Sequence, residues 1–336
     1  MSAYEDQHYI PRSYLKYFAF EGKITMRRRG ALPHPAPISG VAKAKHLYSL
    51  TLPDGTRDAS AEHTLDKFEG IAAECFNSLR RGGPIPRRGT DERHAIGLFL
   101  GLQRIRTPED ANQWLVPVNI AKRAGTDRPT PEDVRAYLRD VHLGIEPSEQ
   151  EVQAAHSWVS ATKAMGLPTK TEQLKLMFGL AMEVAPILEN MNWTVEDCAT
   201  PLFATCDRLP ATWRAPSEED QYKGVGIDGE VELWLPLDPQ RLLVLRHTGT
   251  EGRAPVDAGR ARFVNRHLAK HCFRAVFHDP RLDVGPDDMP MRDERLTLRF
   301  HEGPLVTDDG PTGDEVIHLW TAIRDDAWAE PETGDT

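Results

Sequence analysis

Six polar or titratable side chains in the first two thirds of the sequence belong to types that enzymes use for acid–base chemistry and for holding anions. A histidine or a carboxylate can activate water as a general base. A guanidinium, an amide or a phenol can bind an anionic group or a developing negative charge. These types together predict hydrolysis of an anionic substrate. The candidate catalytic residues are His8, Glu69 and Asp207, and the candidate substrate-binding residues are Tyr14, Gln103 and Arg106.

The candidate catalytic residues also have ordinary structural explanations. His8 lies in an aromatic N-terminal run with Pro11, where it could hydrogen-bond to the backbone while its neighbours pack. Glu69 follows the core position Phe68, so its carboxylate could reach a cleft or pair with a surface lysine. Asp207 follows an apolar stretch, a place where aspartate serves both catalytic sites and turns.

Gln103 and Arg106 lie three residues apart and therefore share one face of a predicted helix. Gln103 is in register with the apolar positions of that helix, and a buried amide has to find hydrogen-bond partners. Arg106 could hold a phosphate or a carboxylate with its two-pronged donor group, or it could bind carbonyls where two helices meet. The sequence leaves both possibilities open.

The net charge of −10 is unevenly distributed along the chain. Residues 1–106 hold 17 Lys and Arg against 11 Asp and Glu, whereas residues 107–336 hold 24 against 40. A basic first third predicts an anionic partner, and nucleic acid is the first one to consider. The alternative is a basic face packed near an acidic one within the same molecule.

Composition and motif content exclude several classes of protein. Apolar residues make up 40% and charged residues 27% of the 336 residues, as in an ordinary globular protein. No apolar run could span a membrane and no secretory signal opens the chain, so we expect a cytoplasmic protein without a membrane partner. The four scattered cysteines predict free thiols. Common nucleotide-binding loops, the serine-hydrolase elbow and the kinase motifs are absent.

The order of predicted elements indicates an α+β fold. Strands are expected near residues 23–29 and 46–51, a helical middle follows at about residues 60–192, and further strands with one helix come after it. This order predicts a small mixed or antiparallel sheet built from N-terminal and C-terminal strands. We expect a single domain over residues 1–325 and an acidic mobile tail at residues 326–336.

Sequence motifs typical of helix N-terminal caps support the prediction of helices in the middle of the chain. Thr130-Pro131 places a capping hydroxyl before a proline at the first helical position, and acidic residues follow it. Ser148 and Glu151 have the spacing of a capping box. Further along, His267 and His271 are four residues apart on a predicted helix, which is the spacing of a metal-binding histidine pair.

Six short segments recur in an order that is typical of one protein family. The segments are His8-Tyr9-Ile10-Pro11 with Tyr14, Leu15 and Phe18; Leu65, Phe68 and Glu69; Gln103, Arg106, Thr107 and Pro108; Thr205-Cys206-Asp207 with Pro210; Leu235-Pro236-Leu237-Asp238-Pro239; and Val264-Asn265. As an ordered set they resemble the domain-of-unknown-function 4238 family, which is widespread and largely bacterial. The resemblance implies positions of interest and no settled chemistry.

One segment departs from the family pattern. Where the family commonly has Ser-Asp-Asn-Pro, this chain has Cys206-Asp207-Arg208-Leu209-Pro210. The aspartate is kept, the serine is replaced, and one residue is added before the proline. The resemblance therefore supports Asp207 as a candidate and gives no support to a hydroxyl at this point.

The leading hypothesis is a hydrolase of an anionic phosphodiester substrate, such as a nuclease in phage defence. A divalent metal ion held by oxygen ligands could assist the attacking water. The alternatives are a non-catalytic binding or regulatory module and a peptide- or metabolite-modifying enzyme. Hydrolysis requires the candidate side chains to converge in a water-accessible cleft, whereas the module requires them to be buried and bonded to one another. The sequence sets neither the metal nor the oligomeric state.

Overall fold

The computed structural model describes thirteen stretches of the chain. These are residues 6–28, 31–52, 56–108, 116–141, 146–165, 170–215, 227, 229–282, 284–285, 289, 291, 297–307 and 310–322. The predicted tail at residues 326–336 lies outside them.

Eight α-helices occur in the described residues. They are α1 (Arg12–Leu15), α2 (Ser60–Arg80), α3 (Asp91–Ile105), α4 (Val116–Ala124), α5 (Pro131–Val141), α6 (Glu149–Met165), α7 (Lys170–Asn190) and α8 (Ala258–His271). Two short 3₁₀ helices, Lys16–Phe18 and Ile38–Gly40, follow α1 and the third strand. None of the helices in the described part of the chain is long and apolar enough to cross a membrane.

The strands lie before and after this helical region. They are β1 (Asp6–His8), β2 (Lys23–Arg28), β3 (His34–Pro37), β4 (Lys43–Lys45), β5 (Leu50–Thr51), β6 (Arg57–Asp58), β7 (Asn192–Cys198), β8 (Thr205–Cys206), β9 (Ala211–Trp213), β10 (Glu232–Asp238), β11 (Arg241–Arg246), β12 (Gly252–Val256), β13 (Ala275–His278), β14 (Thr297–Thr307) and β15 (Gly310–Ala322).

Packing divides the chain into two compact units. The first comprises residues 1–108 and 174–293, and the second comprises residues 109–173 and 294–336. Two packing units can belong to one folding domain or to two. The prediction of a single domain over residues 1–325 is therefore not tested by this division.

Two sheets form the centre of the first unit. A four-stranded antiparallel sheet has the order β3-β2-β13-β8, so it joins N-terminal strands to C-terminal ones. A five-stranded mixed sheet has the order β12-β7-β11-β10-β9, in which β12 pairs with β7 in parallel and the other neighbours are antiparallel. The α+β class and the sheet built from both ends of the chain are therefore confirmed.

Strand β11, in the middle of the five-stranded sheet, is apolar because both of its faces are covered. Leu242, Leu243, Val244 and Leu245 of β11 are all fully buried. A strand with alternating polar residues would place charges in this interior, so a continuous apolar run is required. Trp234 of β10 is fully buried beside them.

The second unit is a helical cluster with a β-hairpin. Helices α4, α5 and α6 surround a core that includes Val116, Ile120, Val134, Leu138 and Val152, all fully buried. The hairpin pairs β14 with β15 from Thr297 opposite Ala322 to Thr307 opposite Gly310.

Several sequence expectations match local structure, and others do not. Thr130 and Asp133 form reciprocal capping hydrogen bonds at the start of α5, and Ser148 and Glu151 do the same at α6. The strand expected at residues 46–51 is reduced to β5 because residues 46–49 form turns and loops. Strand β3 contains Pro35 and Pro37, and it lies at the edge of the four-stranded sheet, where prolines are tolerated.

Glycines let α3 approach α7 closely within the first unit. A Cβ atom on Gly101 would lie 2.9 Å from the carbonyl oxygen of Ala181 and 3.4 Å from its Cα atom. A Cβ atom on Gly97 would lie 3.2 Å from the carbonyl oxygen of Ala185. Both obstacles at Gly101 are backbone atoms, so the helices would have to separate to admit a methyl group.

Gly101→Ala is expected to lower the free energy of unfolding by about 1–3 kcal/mol, because the added methyl group overpacks this contact. Gly70→Ala is the matched control, since Gly70 lies inside α2 with no atom within 4 Å of the added Cβ. It should raise stability by up to about 1 kcal/mol through helix propensity. Urea unfolding measures both, and equal effects of the two substitutions would contradict the close approach.

Candidate functional site

The side chain of Arg106 is the centre of a buried polar network at the end of α3. Thr90 caps the N-terminus of this helix, and Arg106 is its C-terminal cap residue. Its side chain is 2% exposed. Its Nη1 donates to Glu69 Oε1 at 2.5 Å, and its Nη2 donates to the carbonyl oxygen of His8 at 2.6 Å. Its Nε donates to the Tyr48 hydroxyl at 3.1 Å. The guanidinium is therefore held by helix α2, strand β1 and the segment at residue 48.

Hydrogen bonds close this network into a ring. The Tyr48 hydroxyl donates to the carbonyl oxygen of Arg106 at 2.8 Å. Gln7, which is fully buried, accepts from the Tyr48 backbone N–H at 2.5 Å and donates to Ser49 Oγ at 2.7 Å. Since Gln7 precedes His8, the chain of contacts returns to the strand whose carbonyl Arg106 binds.

Gln103 extends the network one helical turn toward the start of α3. With its amide oxygen toward Arg106, it accepts from Arg106 Nη1 at 2.9 Å and donates to the carbonyl oxygen of Tyr9 at 3.2 Å. This orientation is assigned from the hydrogen-bond partners, since the reverse one places like groups together. Gln103 is 1% exposed, and both of its hydrogen-bond partners are protein groups. A buried amide needs hydrogen-bond partners, and Gln103 has them without any ligand.

Helix α2 carries an acidic row, of which Glu62 and Glu69 interact with Arg106 and Asp66 is exposed. Glu62, Asp66 and Glu69 lie at successive turns of the helix, and Glu69 is bonded to Arg106. Burial raises the pKa of the Glu69 carboxyl, and Arg106 partly opposes that change. Burial also raises the pKa of Glu62 to about 7, with Arg106 opposing the change and the neighbouring acids adding to it. One guanidinium therefore faces more than one carboxyl.

The imidazole of His8 lies outside this network although its carbonyl belongs to it. His8 is half-buried on the face of the β1–β4 ribbon that also carries its cross-strand partner Lys43. Burial lowers the pKa of His8 to about 4, and the charges of Arg12 and Lys43 act in the same direction. The imidazole is therefore neutral near pH 7, and its Nδ1 is buried without a hydrogen-bond partner among the described residues.

Asp207 is 1% exposed and serves the backbone. Its Oδ1 accepts from the N–H of Phe273 at 2.8 Å, and its Oδ2 accepts from the N–H groups of Arg274 and Ala275 at 2.7 and 3.0 Å. It thereby fixes the chain between α8 and β13. The contacts described for Asp207 do not bring it to Arg106 or Glu69.

Tyr14 joins the two sheets of the first unit. Its hydroxyl donates to the carbonyl oxygen of Pro236 in β10 at 2.6 Å and is 2.8 Å from Thr205 Oγ1 in β8. Asn265 of α8 holds the loop that precedes β8, since it accepts from the N–H of Ala204 and donates to the carbonyl oxygen of Leu202. Both side chains are buried and bonded to the protein.

A hollow next to Glu69 is too small for a substrate. Its volume is ≈ 10 Å³, which is room for about one water molecule. Arg80, 7% exposed, lines it with a guanidinium that lies over the Tyr17 ring and donates to the carbonyl oxygen of Leu237 at 2.7 Å. The other residues that line the hollow are Ser13, Tyr14, Ala73, Phe76 and Phe99.

The described part of the chain holds no group of three or more His, Cys, Asp or Glu side chains that could bind a metal ion. His267, one member of the histidine pair, lies with its Nε2 2.9 Å from the carbonyl oxygen of Thr212. The side chain of His271 lies outside the described residues.

The structure thus brings Glu69, Gln103 and Arg106 together with the backbone of His8, and it uses Tyr14 and Asp207 elsewhere. Sequence reasoning missed Gln7, Tyr48, Glu62 and Arg80 as members of these networks. Gln7 was adjacent to a candidate, and Glu62 lies seven residues before Glu69 on the same predicted helix. Tyr48 and Arg80 carried no local signal, because their partners are distant in sequence.

Comparison with known proteins gives one family match. A family model described as "Protein of unknown function (DUF4238)" matches residues 6–281. Neither the search of curated proteins nor that of solved structures gives a significant match.

Arg106→Ala is expected to lower the free energy of unfolding by about 3–5 kcal/mol, because it leaves a largely buried carboxylate and three neutral acceptors without their cation. Arg81→Ala, at an exposed position just after α2, is the matched control and should change stability by less than about 0.5 kcal/mol. Urea unfolding measures both. An Arg106→Ala protein as stable as the wild type would contradict the structural role.

The raised pKa of Glu62 predicts a pH dependence of stability with a defined sign. The native state keeps a proton on Glu62 between its ordinary pKa of 4.5 and about 7, whereas the unfolded chain releases it in that interval. Its contribution to the free energy of unfolding therefore falls as the pH rises through this interval. Glu62→Gln should remove that fall, as measured by urea unfolding of both proteins at several pH values. A pH-independent difference between them would contradict the shift.

Proposed function

The chain belongs to the DUF4238 family, and we propose that it is a non-catalytic binding module for an anionic partner. The observation that carries the proposal is that the Arg106 side chain is 2% exposed and that all three of its nitrogens donate to protein groups, namely Glu69, Gln103, Tyr48 and the His8 carbonyl. A guanidinium whose donors are engaged in the interior has no place for a substrate oxygen. Its task is to hold the N-terminal strand against α2 and α3.

Charge around His8 supports an anionic partner. Arg12 and Lys45 are exposed, and Lys43 lies opposite His8 in the β1–β4 ribbon. Asp6 pairs with Lys43 at 2.7 Å and neutralises part of this charge. Counted over Asp6, Arg12, Lys43 and Lys45, the side chains around the neutral imidazole include three cations and one carboxylate. Nucleic acid is the polyanion we favour, because its phosphates bind exposed lysine and arginine without specific chemistry.

A second candidate function is hydrolysis of a phosphodiester, and one observation favours it. The His8 imidazole is neutral near pH 7 and is half-exposed, so it could accept a proton from water. A base with a pKa of about 4 is weak, since general bases work best with a pKa near the operating pH. No second catalytic group among the described residues is bonded to this imidazole, so we rank hydrolysis below binding.

The full chain is expected to bind a labelled oligonucleotide at about 50 mM salt and to leave it intact in the presence of Mg²⁺ or Mn²⁺. Replacing Arg12 and Lys45 together by glutamate should weaken binding about tenfold or more, because it reverses two exposed charges. Lys67→Glu, at an exposed position on α2, should have little effect. Fluorescence anisotropy measures binding, and gel electrophoresis measures cleavage.

Two outcomes would overturn this proposal. One is the absence of any oligonucleotide binding by the wild-type chain at low salt. The other is cleavage that a folded His8→Ala variant has lost, which would establish the hydrolase in place of the binding module.

A further inference from the structure

Arg80, the last residue of α2, is a buried cation whose hydrogen-bond donors are only partly engaged. It is 7% exposed. Its Nε donates to the carbonyl oxygen of Leu237 at 2.7 Å, and its Nη1 donates to Asn77 Oδ1 at 3.3 Å. Its Nη2 is buried and has no hydrogen-bond partner among the described residues. Because a buried nitrogen without a partner costs free energy, this nitrogen indicates a bound ligand.

The charge of Arg80 has no carboxylate bonded to it within the part of the chain that the structure describes. Arg93 and Arg106 are also buried, and they pair with Glu251 and Glu69 at 2.6 and 2.5 Å. Burial lowers the pKa of Arg80, so its surroundings do not fully replace the water that it has lost. A small anion beside the guanidinium would supply the opposite charge.

Asp238 is the acid whose charge acts on Arg80, and it is bonded elsewhere. Its Oδ1 accepts from the N–H of Gln240 at 2.8 Å, and its Oδ2 accepts from Arg241 Nη1 at 3.0 Å. Asp238 therefore reduces the positive charge around Arg80 from a distance and leaves Nη2 without an acceptor.

The hollow that Arg80 lines has the size of one small ion. Its volume is ≈ 10 Å³, so a polyatomic anion such as phosphate does not fit. Ser13 contributes a hydroxyl to its lining. Phe76 and Phe99 contribute rings that meet edge to face with centroids 5.0 Å apart, and the edge of an aromatic ring carries partial positive charge.

The acid in the lining of the hollow lies at its far end. Glu69 and Arg80 are separated by about 16 Å along the axis of α2. The Glu69 carboxylate is bonded to Arg106, and burial raises its pKa. The charge of Glu69 is therefore balanced by another cation and is distant from the Arg80 end.

We infer that the hollow between α1, α2 and α3 binds one halide ion, such as chloride, through Arg80 Nη2 and the Ser13 hydroxyl. A water molecule in this place would accept a hydrogen bond from Nη2 and leave the charge of the guanidinium without a counterion, so a halide is favoured. The ion would stabilise the junction between α2 and β10, where Arg80 binds the carbonyl oxygen of Leu237. The site is separate from the cations around His8 and does not depend on the proposed binding function.

The first experiment is a crystal structure of the full chain grown in sodium chloride, with data collected at a long X-ray wavelength. Chloride scatters anomalously there and water does not. The expected result is an anomalous peak in the hollow within hydrogen-bonding distance of Arg80 Nη2. A water molecule at that position, or a hollow without density, would overturn the inference.

The second experiment measures urea unfolding in solution while chloride replaces gluconate at constant ionic strength. Raising chloride from about 10 to about 300 mM should increase the folding equilibrium constant about tenfold if Kd is about 20 mM. Arg80→Met should abolish this chloride dependence, and Arg81→Met, the charge-matched neighbour at an exposed position, should retain it.

Ser13→Ala keeps the test decisive if the Arg80→Met protein does not fold. It removes one donor from the hollow and should reduce the chloride dependence severalfold. A wild-type chain whose stability is the same in chloride and gluconate would refute the site, and so would a Ser13→Ala variant with the full chloride response.

Discussion

A charged guanidinium inside the protein has to be neutralised and its donors have to be engaged, and the first unit depends on how this is done for Arg106. Glu69 supplies the opposite charge, and neutral oxygens from His8, Tyr48 and Gln103 take further donors. Removing a charge from water costs several kcal/mol, which only a complete set of partners offsets. The positions of β1, α2, α3 and residue 48 are therefore linked, since displacing one of them would leave a buried charge or acceptor without its partner.

The segments that resemble the family pattern have one property in common, which is that their side chains hydrogen-bond to one another's backbone. Tyr14 binds a carbonyl oxygen of the Leu235–Pro239 segment, and Asn265 holds the chain just before Asp207. Asp207 in turn holds the chain that enters β13. Long-range contacts of this kind need one particular residue at each end, because a different side chain would miss its carbonyl or amide. A family pattern made of polar residues can therefore arise from folding alone, without a reaction.

Local signals in the sequence predict what is local in the structure. The apolar spacing of α2 and the capping pairs at Thr130 and Ser148 specify helices through contacts within a few residues, and the structure contains them. Strand β7 was missed because its Asn192–Cys198 sequence mixes polar and apolar residues, and it becomes a strand by lying between β11 and β12. The candidate site was predicted only in part, because its hydrogen bonds join residues that are distant in the sequence. Residue types suited to catalysis are also those suited to buried networks, and only their partners distinguish the two uses.

Charge summed along the sequence is a poor guide to charge on the surface, and this protein gives a physical reason. Arg80, Arg93 and Arg106 account for part of the positive charge in the first third, yet each is at most 7% exposed and donates to backbone carbonyls. A nucleic acid cannot approach them. Helix α8 lies in the acidic part of the chain and nevertheless contains four Arg or Lys residues and no Asp or Glu. Binding depends on the charge that water and a partner can reach, so the basic first third is less basic at its surface than its composition indicates, and α8 is more basic than its surroundings in the sequence.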